Sequence, residues 1–213
     1  METEQQEELP VYVKVCGVTT AQMAREVCAE GVDAIGVNMS AKSPRYVDAE
    51  RAREVIAAVD CSVETVLVIN DKPAEEAARL ALEVGASVLQ LHGPTYGPED
   101  FAAAARIFPR LWRATSLDHD PHPVAGSHGE ELLLIDAPKP GSGESWDLSA
   151  LETARPEGRW LLAGGLKPSN VEDAVRRAKP WGVDVASGVE SAPGVKDPAL
   201  VRAFIKNAAT GAA

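Results

Sequence analysis

A chain of 213 residues, 45% of them hydrophobic, can bury a substantial core within one domain and needs no staples to fold. Its net charge of −11, with no clustered lysines and arginines, argues against nucleic acid or an anionic membrane as partner. Three cysteines, Cys16, Cys28 and Cys61, lack CxxC spacing, so neither a disulfide framework nor a zinc site is expected, and the cytoplasm is the expected compartment.

Residues 1–10 are polar and acidic, unlike a signal peptide, and read as a frayed tail. No apolar run approaches the ~20 residues of a membrane span. From residue 11 onward, short apolar runs alternate with helical patterns. The expected strands are Val11–Val15, Ala34–Met39, Thr65–Ile69, Val88–Leu91, Leu111–Thr115, Leu132–Ile135, Trp160–Ala163 and Val183–Val185. Continuous rather than alternating apolarity marks strands buried on both faces of a parallel sheet. Helices are expected over Ala21–Glu30, Ala49–Val59, Ala74–Val84, Glu99–Phe108, briefly near Ser149–Thr153, then Asn170–Ala178 and Ala199–Ala208. Thr20, Asp48, Pro73, Pro98 and Pro198 supply their start signals. Alternation of this kind implies right-handed βαβ units, and eight repeats imply a single-domain (β/α)8 TIM barrel over residues 11–208, with a C-terminal tail at 209–213.

One connection breaks the rhythm. Residues 118–130 (DHDPHPVAGSHGE) have no helical period, so the fifth helix is expected to be reduced or replaced by a loop. Its histidines, His119, His122 and His128, lack partners at firm ligand spacing and read as a polar loop; no metal is expected.

Chemistry in such a barrel sits at the C-terminal ends of the strands. Those ends carry Lys14 and Cys16, residues 38–45, Asn70 and Asp71, Gln90 and His92, Arg113, Asp136, and two glycine loops, Gly164-Gly165 and Ser187-Gly188. Glycine lets backbone N–H groups converge on an anion, so this pair of loops reads as a phosphate site. Cys16 reads either as a base in the barrel mouth or as a small buried hydrophobe. Asp136 reads either as a partly desolvated acid or as a turn residue. Arg45, stiffened by Pro44, offers a planar fork suited to a carboxylate. Cys28 and Cys61 read as structural.

Six segments in register resemble the phosphoribosylanthranilate isomerase family of tryptophan biosynthesis. They are Lys14–Thr19 (KVCGVT), Lys42–Val47 (KSPRYV), Gln90–Gly93 (QLHG), Leu134–Asp136 with Gly141–Gly143, Leu162–Val171 (LAGGLKPSNV), and Val183–Glu190 (VDVASGVE) with Pro193–Asp197 (PGVKD). The resemblance implies the same barrel. It also implies an Amadori rearrangement of N-(5-phosphoribosyl)anthranilate to the ring-opened 1-deoxyribulose phosphate, with neither metal nor cofactor. Cys16 is then the general base and Asp136 the general acid, and Arg45 faces the anthranilate carboxylate. Lys14, Gln90 and His92 contact the substrate, and Gly141, Gly143, Gly164, Gly165, Ser187 and Gly188 hold its phosphate. The partner implied is a small phosphosugar, met by a monomer or homodimer. The chain departs from the family's usual aromatics after the second strand, where Asn38 and Met39 stand. A related isomerase for another aminated phosphosugar, or a non-catalytic phosphosugar binder, are the competing readings; retention of both Cys16 and Asp136 disfavours the second.

Overall fold

The computed structural model describes residues 11–136, 148, 149, 151 and 155–212. Each expected apolar run forms a strand, and the eight pair in chain order to close a barrel. In order, the first half is β1 (Tyr12–Cys16), α1 (Ala21–Cys28), β2 (Ala34–Asn38), α2 (Ala49–Ala57), β3 (Glu64–Ile69), α3 (Ala74–Val84), β4 (Val88–His92) and α4 (Pro98–Ala105). The second half is β5 (Leu111–Ser116), β6 (Leu132–Asp136), β7 (Trp160–Leu162), α5 (Val171–Ala178), β8 (Gly182–Val185) and α6 (Pro198–Ala212). Pairing is parallel throughout the barrel, and β1 closes it against β8, with Lys14 beside Asp184.

Local chemistry starts the helices where the sequence indicates. The Thr20 hydroxyl accepts from the Met23 N–H at 3.1 Å, and the Asp48 carboxylate accepts from the Arg51 N–H at 2.9 Å. Gly85 ends α3 in the left-handed conformation, at φ 74°. The last helix runs on to Ala212, past the Ala208 boundary expected from the sequence. Gly211 lies against the Glu172 carbonyl, where a Cβ would stand 2.4 Å away. Its missing side chain lets α6 pack on α5.

Strand periodicity divides the core into two layers. Val13, Val15, Ile35, Val37, Leu67, Leu89 and Leu133 face the helices. Ala34, Val66, Val68, Val88, Ala114, Leu134 and Leu161 fill the barrel interior, with Cys16 packed against them. At the N-terminal end Tyr12 stacks on Trp181 with ring centroids 4.6 Å apart and meets Trp112 edge-on at 6.2 Å. Those rings plug that end. Polar inward positions are therefore left for the opposite mouth.

No helix forms among residues 117–131, as expected for the fifth connection. Arg113 holds that segment. Its Nε donates to Glu130 at 2.9 Å, its Nη1 to Asp120 at 2.8 Å and its Nη2 to the Val124 carbonyl at 3.2 Å. Its place on the outward parity of β5 removes Arg113 from the strand-end candidates; it is a loop clamp. The short helix expected near Ser149–Thr153 falls largely outside the described residues. Among the described residues, no helix is long and apolar enough to cross a membrane.

Candidate active site

Inward parity brings the expected side chains together at the C-terminal mouth. A cavity of about 280 Å³ is lined by Cys16 from β1, Asn38 from β2, Gln90 and His92 from β4 and Asp136 from β6. Arg45, from the loop after β2, also lines it, with Asn70, Asp184 and Ala186 completing the far walls. A smaller pocket of about 70 Å³ adjoins it, lined by Gly164, Gly165, Leu166 and Ser187. Asp136, Asp184 and Ala186 belong to both, so Asp136 stands at the junction of a large lobe and a small one.

Two backbone-rich loops wall the small lobe, with Asp136 and Asp184 also in its lining. Gly164 and Gly165 both take positive φ, 90° and 64°. Across from them Gly188 lies so close to the preceding strand's loop that a Cβ would stand 1.9 Å from the Leu166 carbonyl oxygen. The two loops meet main chain to main chain. Asn170 laces the first loop, accepting from the Lys167 N–H at 2.8 Å and donating to the Gly165 carbonyl at 3.0 Å. Gly141 and Gly143, the remaining loop glycines expected here, lie outside the described residues.

The large lobe is charged beneath its surface. Lys14 is fully buried and donates to Asp184 at 2.8 Å. Burial works most strongly against its charge, but the Asp184 carboxylate and the Cys16 sulfur together hold the ammonium above its ordinary pKa. The Cys16 thiol is pushed up by burial, with the Lys14 charge pulling it down, the Asp184 carboxylate pushing it up and the Lys196 charge pulling it down again. Glu190 accepts from Arg45 Nε at 2.6 Å, from Arg45 Nη2 at 2.9 Å and from Lys196 Nζ at 2.7 Å. Burial opposes its charge, yet those hydrogen bonds bring its carboxyl down to about 2. His92 goes the other way. Burial and the Lys14 charge lower its pKa to about 4, so the imidazole is neutral near pH 7. Its Nε2 stands 3.8 Å from Asp136 Oδ2, beyond hydrogen-bond reach, and a neutral ring makes no ion pair there.

Lys14, Cys16, Arg45, Gln90, His92 and Asp136 thus converge, as do Gly164, Gly165, Ser187 and Gly188. Lys14 lies beneath the lobe, against Asp184 and the Cys16 sulfur. Met39 is buried among the side chains outside the barrel wall, so of the two departures only Asn38 borders the cavity. Asp184, Glu190 and Lys196 were not singled out from sequence. Their signal is faint but real: a carboxylate at an inward position of an otherwise apolar strand, and one Glu and one Lys in a short hairpin. Among the described residues, no group of three His, Cys, Asp or Glu side chains is arranged to hold a metal.

The family model described as N-(5'phosphoribosyl)anthranilate (PRA) isomerase matches residues 13–207. The chain belongs to that family. It is 40% identical over 207 residues to the N-(5'-phosphoribosyl)anthranilate isomerase of Chlorobaculum parvum, covering 91% of this chain and 93% of that one. To the isomerase of Haloferax volcanii it is 41% identical over 212 residues, 93% of each chain. Among solved structures, TrpF from Jonesia denitrificans superposes with a TM-score of 0.85 at 53% identity, covering 93% of this chain and 96% of that one. A phosphoribosyl anthranilate isomerase bound to reduced 1-(o-carboxyphenylamino)-1-deoxyribulose 5-phosphate superposes at 0.78 and 30% identity, covering 93% and 98%. The isomerase family therefore accounts for the barrel over residues 13–207.

Proposed function

We infer that the chain catalyses the Amadori rearrangement of N-(5-phosphoribosyl)anthranilate to 1-(2-carboxyphenylamino)-1-deoxyribulose 5-phosphate. The observation that carries this reading is the position of Asp136. It borders both the lobe holding Cys16 and the backbone-lined pocket, so a phosphate in the small lobe leaves the sugar between acid and thiol. The ligand of the related complex has this phosphate–sugar–carboxyphenyl order.

In the mechanism that follows, Asp136 in its acid form gives its proton to the furanose ring oxygen. The C1–O bond breaks, and the anilino nitrogen lone pair forms the C1=N bond of a Schiff base. The Cys16 sulfur, whose thiolate form the Lys14 and Lys196 charges favour against the upward push of burial, then takes the C2 proton, and those electrons make the C1=C2 bond of an enolamine while neutralising nitrogen. Tautomerisation moves the C2 hydroxyl proton to C1 and leaves the ketone. Each positioned proton transfer contributes ~10²–10⁴-fold. Arg45 meets the ring carboxylate, and Gln90 and His92 border the sugar. His92, neutral and a hydrogen-bonding group rather than a cation, does not compete for the proton of Asp136. The reading places a small-molecule enzyme, monomer or homodimer, in the cytoplasm, in keeping with its three unpaired cysteines.

Complementation of a tryptophan auxotroph lacking this isomerase tests substrate and catalysis together. Growth with the wild-type chain and none with Cys16→Ala is the expected result. Failure of a soluble wild-type chain to restore growth overturns the reading in favour of another aminated phosphosugar.

A further inference from the structure

A long arginine on a loop has rotamer freedom worth ~2 kcal/mol to restrain, and a carboxylate-reading arginine must be restrained to discriminate. Arg45 lies across Gly17, whose added Cβ would stand 2.1 Å from Arg45 Cδ, so the side chain runs flat along the mouth. Glu190 then engages one edge of the guanidinium, the one formed by Nε and Nη2, with two parallel bonds at 2.6 and 2.9 Å. Arginine carries five N–H donors. The opposite edge, formed by Nη1 and the second Nη2 hydrogen, meets no acceptor among the described residues.

A lone Arg45–Glu190 pair would be neutral and would have no net attraction for a second carboxylate. Lys196 changes that count. Its fully buried ammonium donates to Glu190 at 2.7 Å and to the Ala186 carbonyl at 2.9 Å. Two cations on one carboxylate leave a single positive charge for an incoming anion. Ala186 leads into Ser187 and Gly188, so the same lysine ties Arg45's anchor to the backbone-lined pocket.

We propose that Glu190 and Lys196 are positioning residues: Glu190 fixes Arg45 by its inner edge, and Lys196 restores the charge that lets the outer edge take the substrate carboxylate. This rests on the isomerase reading given above. Neither residue touches substrate. Burial depresses the pKa of Lys196, and its hydrogen bond to Glu190 opposes that shift.

The test measures kcat and KM for N-(5-phosphoribosyl)anthranilate and for its aniline counterpart, which lacks the carboxylate. Lys196→Met preserves length and removes the charge; it is expected to raise KM for the carboxylated substrate about 10-fold, equivalent to one decade of affinity. The aniline counterpart should change less than about twofold, and Lys196→Arg should recover most of the loss. In an Arg45→Ala background, Lys196→Met should cause no further loss of discrimination, because both act through one contact. Equal losses for both compounds, or additive losses with Arg45→Ala, overturn the proposal. Should Lys196→Met not fold, Lys196→Gln removes the same charge while keeping a donor for the Ala186 carbonyl, and it carries the same expectations. A crystal structure of Glu190→Gln judges the anchor without any reaction: Arg45 should leave its place over Gly17, and an unmoved Arg45 refutes the anchoring role. A wild-type chain that turns over neither compound refutes the isomerase reading instead, and the crystal structure still decides the anchor.

Discussion

The Cys16 thiol leans over Gly36, its neighbour across the β1–β2 pair, so closely that a Cβ on Gly36 would stand 2.7 Å from Sγ and 3.1 Å from the Cys16 Cα. A glycine in a strand interior ordinarily weakens it. Here its absence of side chain makes room for the proposed base. Gly36→Ala should push the thiol out of line and lower kcat by about 10²-fold, the scale of a 1 Å misplacement. The added methyl in a tight site should also cost ~1–3 kcal/mol of stability by urea titration. Near wild-type turnover in a destabilised Gly36→Ala would separate the thiol's position from catalysis.

Acid and base are assigned by position, so their removal should be selective. Cys16→Ala and Asp136→Asn should each lower turnover at least ~10²-fold with the circular-dichroism spectrum unchanged. Cys28, half-buried on α1, and Cys61, exposed before β3, should tolerate alanine with turnover intact. A large loss at either would mean that the wrong thiol has been named.

The neutral imidazole of His92 has a consequence for acid stability. Its folded-state pKa of about 4 lies below its ordinary 6.5, so the unfolded chain binds a proton more readily. Its contribution is complete above pH 6.5 and is lost progressively as pH falls toward 4. Between pH 7 and 5 this group alone should remove about 2 kcal/mol of unfolding free energy. His92→Gln should flatten that part of the profile relative to wild type. Parallel curves for the two proteins would show that the ring is not held neutral.

Most of the barrel was legible because burial on both faces makes parallel strands read as mainly apolar runs, interrupted here by residues such as Lys14, Gln90, Arg113 and Asp184. Boundaries moved by a residue or so where polar inward residues such as Cys16, His92 and Asp136 end their strands. α6 runs past the expected Ala208 boundary, with Gly211 serving as a packing contact on α5. Within the site, Cys16, Arg45 and Asp136 stood out by chemistry at strand ends. Arg113 stood out equally and proved to be a loop clamp, since one residue of parity decides which side of the wall a side chain takes. Asp184, Glu190 and Lys196 matter through their partners, and a partner 145 residues away in sequence, as Arg45 is from Glu190, leaves only a faint local signal.

The small lobe offers the last expectation, that anion binding there depends on main chain rather than on a cation. Lys167 is exposed, and its own N–H is already given to Asn170. Lys167→Ala should therefore leave binding of inorganic phosphate, measured by calorimetry, within about twofold of wild type, as for other exposed charges in water. Gly188→Ala should differ sharply. Its Cβ would meet the Leu166 carbonyl oxygen at 1.9 Å and Lys167 Cα at 2.9 Å, so the two loops must part. Gly165→Val acts by another route, since φ 64° is a conformation that a β-branched residue adopts only under strain. Both should weaken phosphate binding at least ~10-fold, about 1.4 kcal/mol, because convergent N–H groups lose their common focus. In a phosphate-soaked crystal the anion should lie between Gly165 and Ser187. Binding that survives Gly188→Ala but fails in Lys167→Ala would make the site a cation site and would remove the main support for a phosphate in the small lobe.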